Sequence, residues 1–217
     1  MKEVISFLSD LATNNNKDWF DENRKRYETA KISVLTLVEE IIENISEFDS
    51  AIANQAAKSC LFRINKDVRF SKDKSPYKLN FGASINPGGK KSSIPGYYIQ
   101  IQPGASFLAG GTYQPLPDQL FAIRQEIDYN LDEFSSIVSE KKFKKYFGKL
   151  ADEDALKNAP KGFDKDSASL NYIRNRHFIV IHPLSDEEII SKKLSEKCVE
   201  VFKAMKPLNL FLRRSFD

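Results

Sequence analysis

The sequence predicts an α+β fold: an antiparallel β-meander sheet with helices packed on it, and helical N- and C-terminal thirds. Apolar residues recur at three- and four-residue spacing in the first and last thirds, which is typical of helices that bury one face. Between residues 79 and 109 they alternate with polar residues, which is typical of strands. This order of elements favours α+β over a doubly wound parallel sheet, and we predict a single domain over residues 1–217.

Three helical segments are predicted in the N-terminal third. The first carries an apolar face from Val4 to Leu11 and ends at three consecutive asparagines, of which Asn16 is placed to cap the second segment. A longer helix follows, with an apolar stripe of Ile32, Leu35, Val38, Ile41, Ile42 and Ile45.

Three strands joined by short turns are predicted in the middle third. Residues 79–85 and 97–102 alternate apolar with polar side chains, and residues 105–109 form the third strand. The sequences Asn86-Pro87-Gly88-Gly89 and Pro103-Gly104 have the composition of tight turns. Because the connections are short, the strands are expected to run antiparallel.

The last third returns to helices around one isolated strand. Pro117 is predicted to open a helix, and two further helical faces follow it. An apolar strand is expected at residues 176–182. Ser185 and Glu188 then form a capping box for a final long helix, which we expect to end at Pro207.

The composition indicates a globular protein without a membrane span. Of the 217 residues, 41% are hydrophobic and 29% are charged, which argues against global disorder. No apolar run reaches the roughly 18 residues that a membrane helix needs, and the N-terminus lacks the apolar core of a signal peptide. Cys60 and Cys198 lie far apart and are expected to be buried thiols, so we predict a cytoplasmic protein with no metal and no cofactor.

Most familiar catalytic motifs are excluded. The two histidines, His177 and His182, are five residues apart on one predicted strand, and an odd separation sends their side chains to opposite faces. The chain has no Gly-x-Ser-x-Gly elbow and no phosphate-binding loop. The run Gly88–Lys91 is interpreted as a hairpin loop kept soluble by its lysines. Whether the protein is an enzyme stays open.

One basic segment, residues 63–78, is the predicted working surface. Nine Lys or Arg and two Asp give residues 58–91 a net charge of +7, and the chain's total of +3 leaves −4 elsewhere. The positive charge is therefore local, which points to an anion-facing surface. The segment also contains apolar residues that a purely solvated loop does not need: Ile64, Val68, Phe70 and Tyr77.

The same segment supplies the candidate ligand-binding residues. If a strand continues through it, Arg63, Asp67 and Arg69 project from one face, and the carboxylate holds a guanidinium toward an anion. Like charges held together repel unless something negative lies among them. The candidates are Arg63, Asp67, Arg69, Lys72, Asp73, Lys74, Tyr77, Lys78 and, on the helix after Pro117, Arg124.

Three functions remain open for this surface. The first is binding of an anionic small molecule, such as a phosphorylated metabolite, with or without a reaction, and it requires the cations to converge on a concave pocket. The second is nucleic-acid binding, against which the small total charge counts. The third is a structural or protein-interaction module, in which the segment's charges pair with the protein's own acids and serve the fold. No oligomeric state is predicted.

The segment also resembles the signature of a known family. The run Arg63-Ile64 to Asp67, followed by Arg69-Phe70-Ser71-Lys72-Asp73-Lys74-Ser75-Pro76-Tyr77-Lys78, is similar to that of the conserved hypothetical family named domain of unknown function 2461. Other matching stretches are Asn14–Phe20, Phe81–Ile85, Gly96–Tyr98, Gly110-Gly111 with Pro115, Ile123–Ile127 and Ala159–Asp164.

The resemblance covers nearly the whole chain, which supports a single domain. It implies a shared surface at residues 63–78 but no catalytic roles. This chain departs from the family pattern at Ser167-Ala168, where many members carry His-Pro, and at Asn65-Lys66, where an aromatic–basic pair is common. Any role of that histidine in relatives is therefore not expected here.

Overall fold

A computed structural model describes residues 1–69 and 71–216. Within these residues the chain forms a four-stranded sheet and ten α-helices. The helices are α1 (Lys2–Thr13), α2 (Lys17–Glu22), α3 (Arg24–Ser46), α4 (Ala57–Cys60), α5 (Pro117–Tyr129), α6 (Leu131–Ser139), α7 (Lys141–Phe147), α8 (Leu170–Ile173), α9 (Asp186–Ile190) and α10 (Leu194–Arg213). The strands are β1 (Phe81–Ile85), β2 (Gly96–Ile101), β3 (Ser106–Thr112) and β4 (Phe178–Leu184). They lie in the order β1-β2-β3-β4, and each pairs antiparallel with the next. The predicted α+β meander is confirmed, and the isolated strand completes it beside β3.

One face of the sheet is covered by α3 and α10. These helices pack against β1 and β3, because every second strand residue on that face is buried and nearly all are apolar. At Gly110 on β3, an added Cβ would lie 2.7 Å from Sδ of Met205 on α10. A larger residue at position 110 would therefore push α10 away from the sheet. The apolar residues of this face are Phe81, Ala83, Ile85, Tyr97, Ile99, Ile101, Leu108, Phe178, Val180 and Leu184.

Three predicted helix starts are confirmed. Asn16 caps α2 by accepting a hydrogen bond from the backbone N–H of Trp19 at 3.0 Å. Pro117 is the first residue of α5. Before α9, the Ser185 hydroxyl accepts from the Glu188 N–H at 3.2 Å, and the Glu188 carboxylate accepts from the Ser185 N–H at 2.9 Å. Such caps satisfy backbone donors that the first turn of a helix leaves free, so they are readable from local sequence.

The predicted single final helix is wrong, because the chain divides it in two. α9 ends at Ile190, Ser191 adopts an extended backbone with ψ of 144°, and α10 begins at Leu194. The Ser191 carbonyl and hydroxyl then accept hydrogen bonds from the Leu194 and Lys193 backbone N–H groups. Ser191 thus stabilises the turn before α10, whose N-cap residue is Lys193.

The predicted end at Pro207 is also wrong, since Pro207 lies inside α10. A proline within a helix costs about 3 kcal/mol, because it removes one backbone hydrogen bond and crowds the preceding turn. Leu208, Phe211 and Leu212 are buried after it, and burial of each such side chain contributes about 1.5–3 kcal/mol. Packing of the last two turns against the core therefore outweighs the local preference.

A buried ion pair joins the end of α10 to the chain after α3 and to β2. Arg213 donates from Nη1 and Nη2 to the two carboxylate oxygens of Asp49, each at 2.8 Å, and from Nε to the Pro95 carbonyl at 2.9 Å. The Tyr97 hydroxyl donates to Asp49 at 2.8 Å. Burial disfavours the Asp49 carboxylate, but the hydrogen bonds from Arg213 and Tyr97 outweigh it and hold its pKa below the ordinary value.

The chain between α4 and β1 is attached to the N-terminal helices through Tyr77. The Asn15 side chain donates to the Tyr77 carbonyl at 2.9 Å and accepts from the Tyr77 N–H at 3.1 Å. The Tyr77 ring is buried and stacks on Phe20 with a centroid separation of 4.0 Å. Because both backbone groups and the ring are fixed, the following residue, Lys78, has a defined position three residues before β1.

Two further predictions concern the cysteines and a membrane span. Cys60 and Cys198 are buried free thiols, as predicted. Burial raises the pKa of the Cys198 thiol to about 12. None of the helices within the described ranges combines the length and apolar character needed to cross a bilayer.

We expect Arg213→Met to lower the free energy of unfolding by about 3–5 kcal/mol, because it leaves the buried Asp49 carboxylate without its cation. The difference from the wild type should shrink as the pH falls. Protonated Asp49 needs no cation, and the depressed pKa means that the wild type loses the benefit of the pair only below the ordinary value of 3.8. Urea denaturation at a series of pH values measures both effects.

The matched control is Arg24→Met, which removes an ion pair with Asp21 from a side chain that is 56% exposed. A much smaller loss is expected there, because solvent screens an exposed pair. Equal losses in the two variants would show that the buried Asp49–Arg213 pair stabilises the fold no more than an exposed ion pair does.

We expect Asn15→Ala to lower the free energy of unfolding by about 1–3 kcal/mol, since two partly buried backbone groups of Tyr77 lose their partner. Amide hydrogen exchange at Tyr77 should accelerate more than at the strands. Asn14→Ala is the control, because Asn14 donates only to the exposed Asp10 carbonyl and to Thr13. A slow, unchanged Tyr77 amide in Asn15→Ala would contradict the anchoring role.

Candidate functional site

The basic segment, residues 63–78, forms an irregular hairpin rather than a continuous strand. Its arms meet at an isolated bridge between Asn65 and Tyr77, flanked by hydrogen bonds from the Lys66 N–H to the Pro76 carbonyl and from the Lys78 N–H to the Ile64 carbonyl, both 2.8 Å. The strand geometry that would place both arginines on one face is therefore not formed in the described part. Phe70, one of the predicted apolar anchors, lies outside the described residues.

The two acids of the candidate set, Asp67 and Asp73, each pair with a cation inside the hairpin. Asp67 accepts from Arg69 Nη2 at 2.7 Å and Nε at 3.0 Å. Asp73 accepts from Lys66 Nζ at 2.6 Å and from the Ser75 backbone N–H at 2.9 Å. Hydrogen bonds from Arg69 lower the pKa of Asp67, and those from Lys66 and Ser75 lower the pKa of Asp73. These pairs reduce the positive charge that the sequence places on the hairpin.

The hairpin's other four cations form no ion pair with an acid within residues 1–69 and 71–216. Lys72 and Lys74 are exposed, and Lys74 Nζ donates to the Val68 carbonyl at 3.0 Å. Arg63 is exposed but lies near enough to both Asp67 and Lys78 to lower the pKa of each. The structure thus brings Arg63 and Lys78 together.

Arg124 is buried on α5, and its described contacts lie on another part of the chain. Its Nη2 donates to the Asn175 carbonyl at 2.9 Å, in the turn before β4. Burial, together with the nearby Arg176, lowers the pKa of its guanidinium. None of its described hydrogen bonds or ion pairs reaches the basic segment, so its place in the candidate set stays a prediction.

A cleft of about 700 Å³ lies on the face of the sheet opposite α3 and α10. The outward-facing residues of the strands form its floor, because side chains alternate between the two faces. The chain before β1, the β1–β2 loop and the end of β3 form its rim. The floor includes Ser84, Tyr98, Gln100, Phe107, Ile179 and Ile181, and the rim includes Phe62, Lys78, Asn80, Lys90, Ser93 and Tyr113.

Tyr98 lies across the floor toward β1. A Cβ added at Gly82 would come within 2.5 Å of the Tyr98 hydroxyl oxygen, so the ring occupies the space that a side chain at position 82 would need. The Tyr98 hydroxyl donates to Gln100 Oε1 at 3.2 Å. Burial raises the pKa of Tyr98, which keeps the phenol neutral and able to donate a hydrogen bond at neutral pH.

Lys78 and Lys90 supply the positive charge of the cleft. Lys78 Nζ lies over the Phe62 ring, 5.5 Å from its centroid, and Lys90 Nζ donates to the Leu61 carbonyl at 2.8 Å. Of the residues described, none that lines the cleft is Asp, Glu, His or Cys. Burial, followed by the charge of Arg63, lowers the pKa of Lys78. The cleft is therefore a recessed, largely apolar surface with cations on one side.

The sequence predicts the rim residue Lys78 but not the floor of the cleft. The alternation in β2 indicates that Tyr98 and Gln100 are the polar, solvent-facing half of a strand, and the composition around Lys90 indicates a soluble loop. One signal was present: in Phe178-Ile179-Val180-Ile181, both faces of β4 are apolar, which indicates a strand with something to bury on each side. Ile179 and Ile181 line the cleft.

Metal binding finds no support in the described ranges. No group of three or more His, Cys, Asp and Glu side chains there is arranged to hold a metal ion. His177 instead accepts a hydrogen bond from the Gln114 N–H at 3.1 Å through Nδ1, and its Nε2 lies 3.4 Å from Asp154. The Nδ1 of His182 is 3.0 Å from the Tyr146 carbonyl. Both histidines thus have structural partners.

Comparison with known proteins gives one match. A family model described as "Conserved hypothetical protein (DUF2461)" matches residues 3–211, which includes the hairpin and all four strands. No curated protein and no solved structure matches the chain. Because the match covers almost the entire sequence, the chain belongs to the conserved hypothetical protein family DUF2461.

Proposed function

We propose that the cleft binds a small organic anion with a flat apolar body, and that Lys78 and Lys90 face its charged end. The observation that carries the proposal is the cleft's lining: among the residues described, two lysines and no acid surround a volume of about 700 Å³. Small-molecule sites in proteins typically measure 300–1,000 Å³ and combine apolar walls with a few polar groups that fix orientation.

The floor supports the apolar part of this ligand. Phe107, Ile179 and Ile181 are large apolar side chains on the sheet face opposite α3 and α10, and Ile181 is 42% exposed. Tyr98 lies among them, with its ring 5.7 Å from that of Phe107. Flat aromatic and aliphatic surfaces favour contact with a planar group, and the amide of Gln100 and the hydroxyl of Ser84 add orienting hydrogen bonds.

The rim supports the anionic part. Lys78 is half-buried beside the positive Arg63, and an acceptor with negative charge would relieve their repulsion. A charge-assisted hydrogen bond in such a recessed place is stronger than one in water. Of the predicted site residues, Arg63 and Lys78 therefore remain candidates for binding the anion. The pairs Arg69–Asp67 and Lys66–Asp73 belong to the hairpin's own structure.

Two further inferences concern the domain organisation and the cellular location of the chain. We infer a single domain, which is supported by one cluster of buried residues that runs from Val4 to Leu212. A cytoplasmic location is supported by the two buried, unpaired thiols, Cys60 and Cys198.

Titration of ¹⁵N-labelled protein with 4-methylbenzoate tests the site, since this probe combines a carboxylate with a flat apolar ring. We expect saturable shifts of the backbone amides of Tyr98, Gln100 and Phe107. Lys78→Met should weaken the apparent affinity by about tenfold or more, because a hydrogen bond to a charged group contributes roughly 1.5–3 kcal/mol.

Two controls separate the cleft from general charge effects. Lys72→Met removes the same charge from the exposed part of the hairpin and should leave the affinity within about twofold, as expected for a solvent-screened cation. The neutral 4-methylbenzamide should bind more weakly than the carboxylate. Shifts confined to residues 63–78, or equal effects of the two substitutions, would refute the proposal.

A further inference from the structure

Lys78 differs from the other lysines near the cleft in what its amine contacts. Lys90 Nζ donates to a backbone carbonyl at 2.8 Å, Lys74 Nζ donates to another at 3.0 Å, and Lys66 Nζ pairs with a carboxylate at 2.6 Å. Each of these contacts favours the charged ammonium form. Lys78 Nζ instead lies over the face of the Phe62 ring, 5.5 Å from its centroid, and this cation–π contact favours the ammonium less than a hydrogen bond to an acceptor does. Nζ of Lys78 has no hydrogen-bond acceptor among the residues described.

We propose that Lys78 is a nucleophile that forms an imine with a carbonyl group of an organic anion held in the cleft. This inference rests on the proposed function and deepens it by naming the substrate class: an aldehyde or ketone that also carries a carboxylate or phosphate. Two features of the geometry carry it. The amine faces a recessed surface free of acids, and its backbone is fixed by the Asn15–Tyr77 hydrogen bonds one residue earlier.

Burial, followed by the nearby positive charge of Arg63, lowers the pKa of Lys78 from its ordinary value. Such a shift raises the share of neutral amine, which is the nucleophilic form. Among the residues described, no carboxylate lines the cleft to reverse that effect. Lys90, which keeps its hydrogen bond to the Leu61 carbonyl, remains the cation that holds the anionic end of the substrate.

The bonds balance without any further reagent. The nitrogen lone pair of Lys78 attacks the carbonyl carbon, a C–N bond forms, and the C=O π electrons move to oxygen, which takes up a proton. The nitrogen loses one proton, and the resulting carbinolamine expels water as the C=N bond forms. The Tyr98 hydroxyl and solvent at the mouth of the cleft are the available proton carriers, since no carboxylate or imidazole lines the described cleft.

Reductive trapping tests the inference with 4-carboxybenzaldehyde as the probe. The folded, full-length protein is incubated with the aldehyde, reduced with sodium borohydride, digested and mapped by mass spectrometry. We expect the reduced adduct to concentrate on Lys78, severalfold above the exposed Lys72 and Lys74 in the same sample. Excess 4-methylbenzoate should suppress the Lys78 adduct but not the background on exposed lysines.

Lys78→Arg is the informative variant, because it keeps the positive charge but supplies no amine of suitable pKa. It should lose the concentrated adduct, whereas Lys72→Arg, the matched control, should keep it. The ¹⁵N titration of both variants with 4-methylbenzoate measures separately how much binding each retains. Amide spectra of the variants show whether each is folded, and the wild-type map remains decisive if Lys78→Arg is not.

Two different failures are distinguishable. If 4-methylbenzoate binds in the cleft but the label spreads evenly over exposed lysines, the nucleophilic role of Lys78 is refuted and the binding proposal stands. If neither probe produces saturable shifts at Tyr98, Gln100 and Phe107, both proposals are refuted together.

Discussion

The pairing of Asp49 with Arg213 is the contact on which the arrangement of helices and sheet depends. It joins the residues after α3 to the last turn of α10, and Tyr97 adds β2 to the same buried carboxylate. A buried carboxylate tolerates little displacement of its partners, since an unpaired charge in the interior is costly. The two longest described helices are therefore held on one face of the sheet.

In the described part of the chain, that placement leaves a cleft over the second face. An antiparallel sheet commonly exposes one face to water, and such a face is normally polar. Here it carries Phe107, Ile179 and Ile181 beside amides and hydroxyls, and the hairpin and the β1–β2 loop raise its edges into a cleft. The charges of that hairpin pair locally, and its last residue reaches the cleft.

Local signals in the sequence predict much of this fold. Asn16, Pro117 and the Ser185–Glu188 box mark helix starts, because capping needs only residues close in sequence. The interior position of Pro207 is not readable in this way, since burial of Leu208 and Phe211 against distant elements decides it. The break at Ser191 is missed for a related reason: an apolar stripe continues across it although the backbone does not.

The site was predictable only in part. Charge density located the hairpin and Lys78, because it is a property of composition. The pairing of Asp67 with Arg69, and of Asp73 with Lys66, depends on how the hairpin turns and so was not deducible from spacing. Tyr98 and Phe107 line the cleft because strand register places them on the same face of the sheet and α3 and α10 pack on the other face in the described structure. Both conditions depend on tertiary structure.

Gly82 has a consequence for what the cleft can admit. The Tyr98 ring lies down over β1 only because position 82 has no side chain. Any substituent there would force the phenol to move, and with it part of the floor of the cleft. In the proposed site, the space available to a bound molecule thus depends on a residue that the molecule itself does not touch.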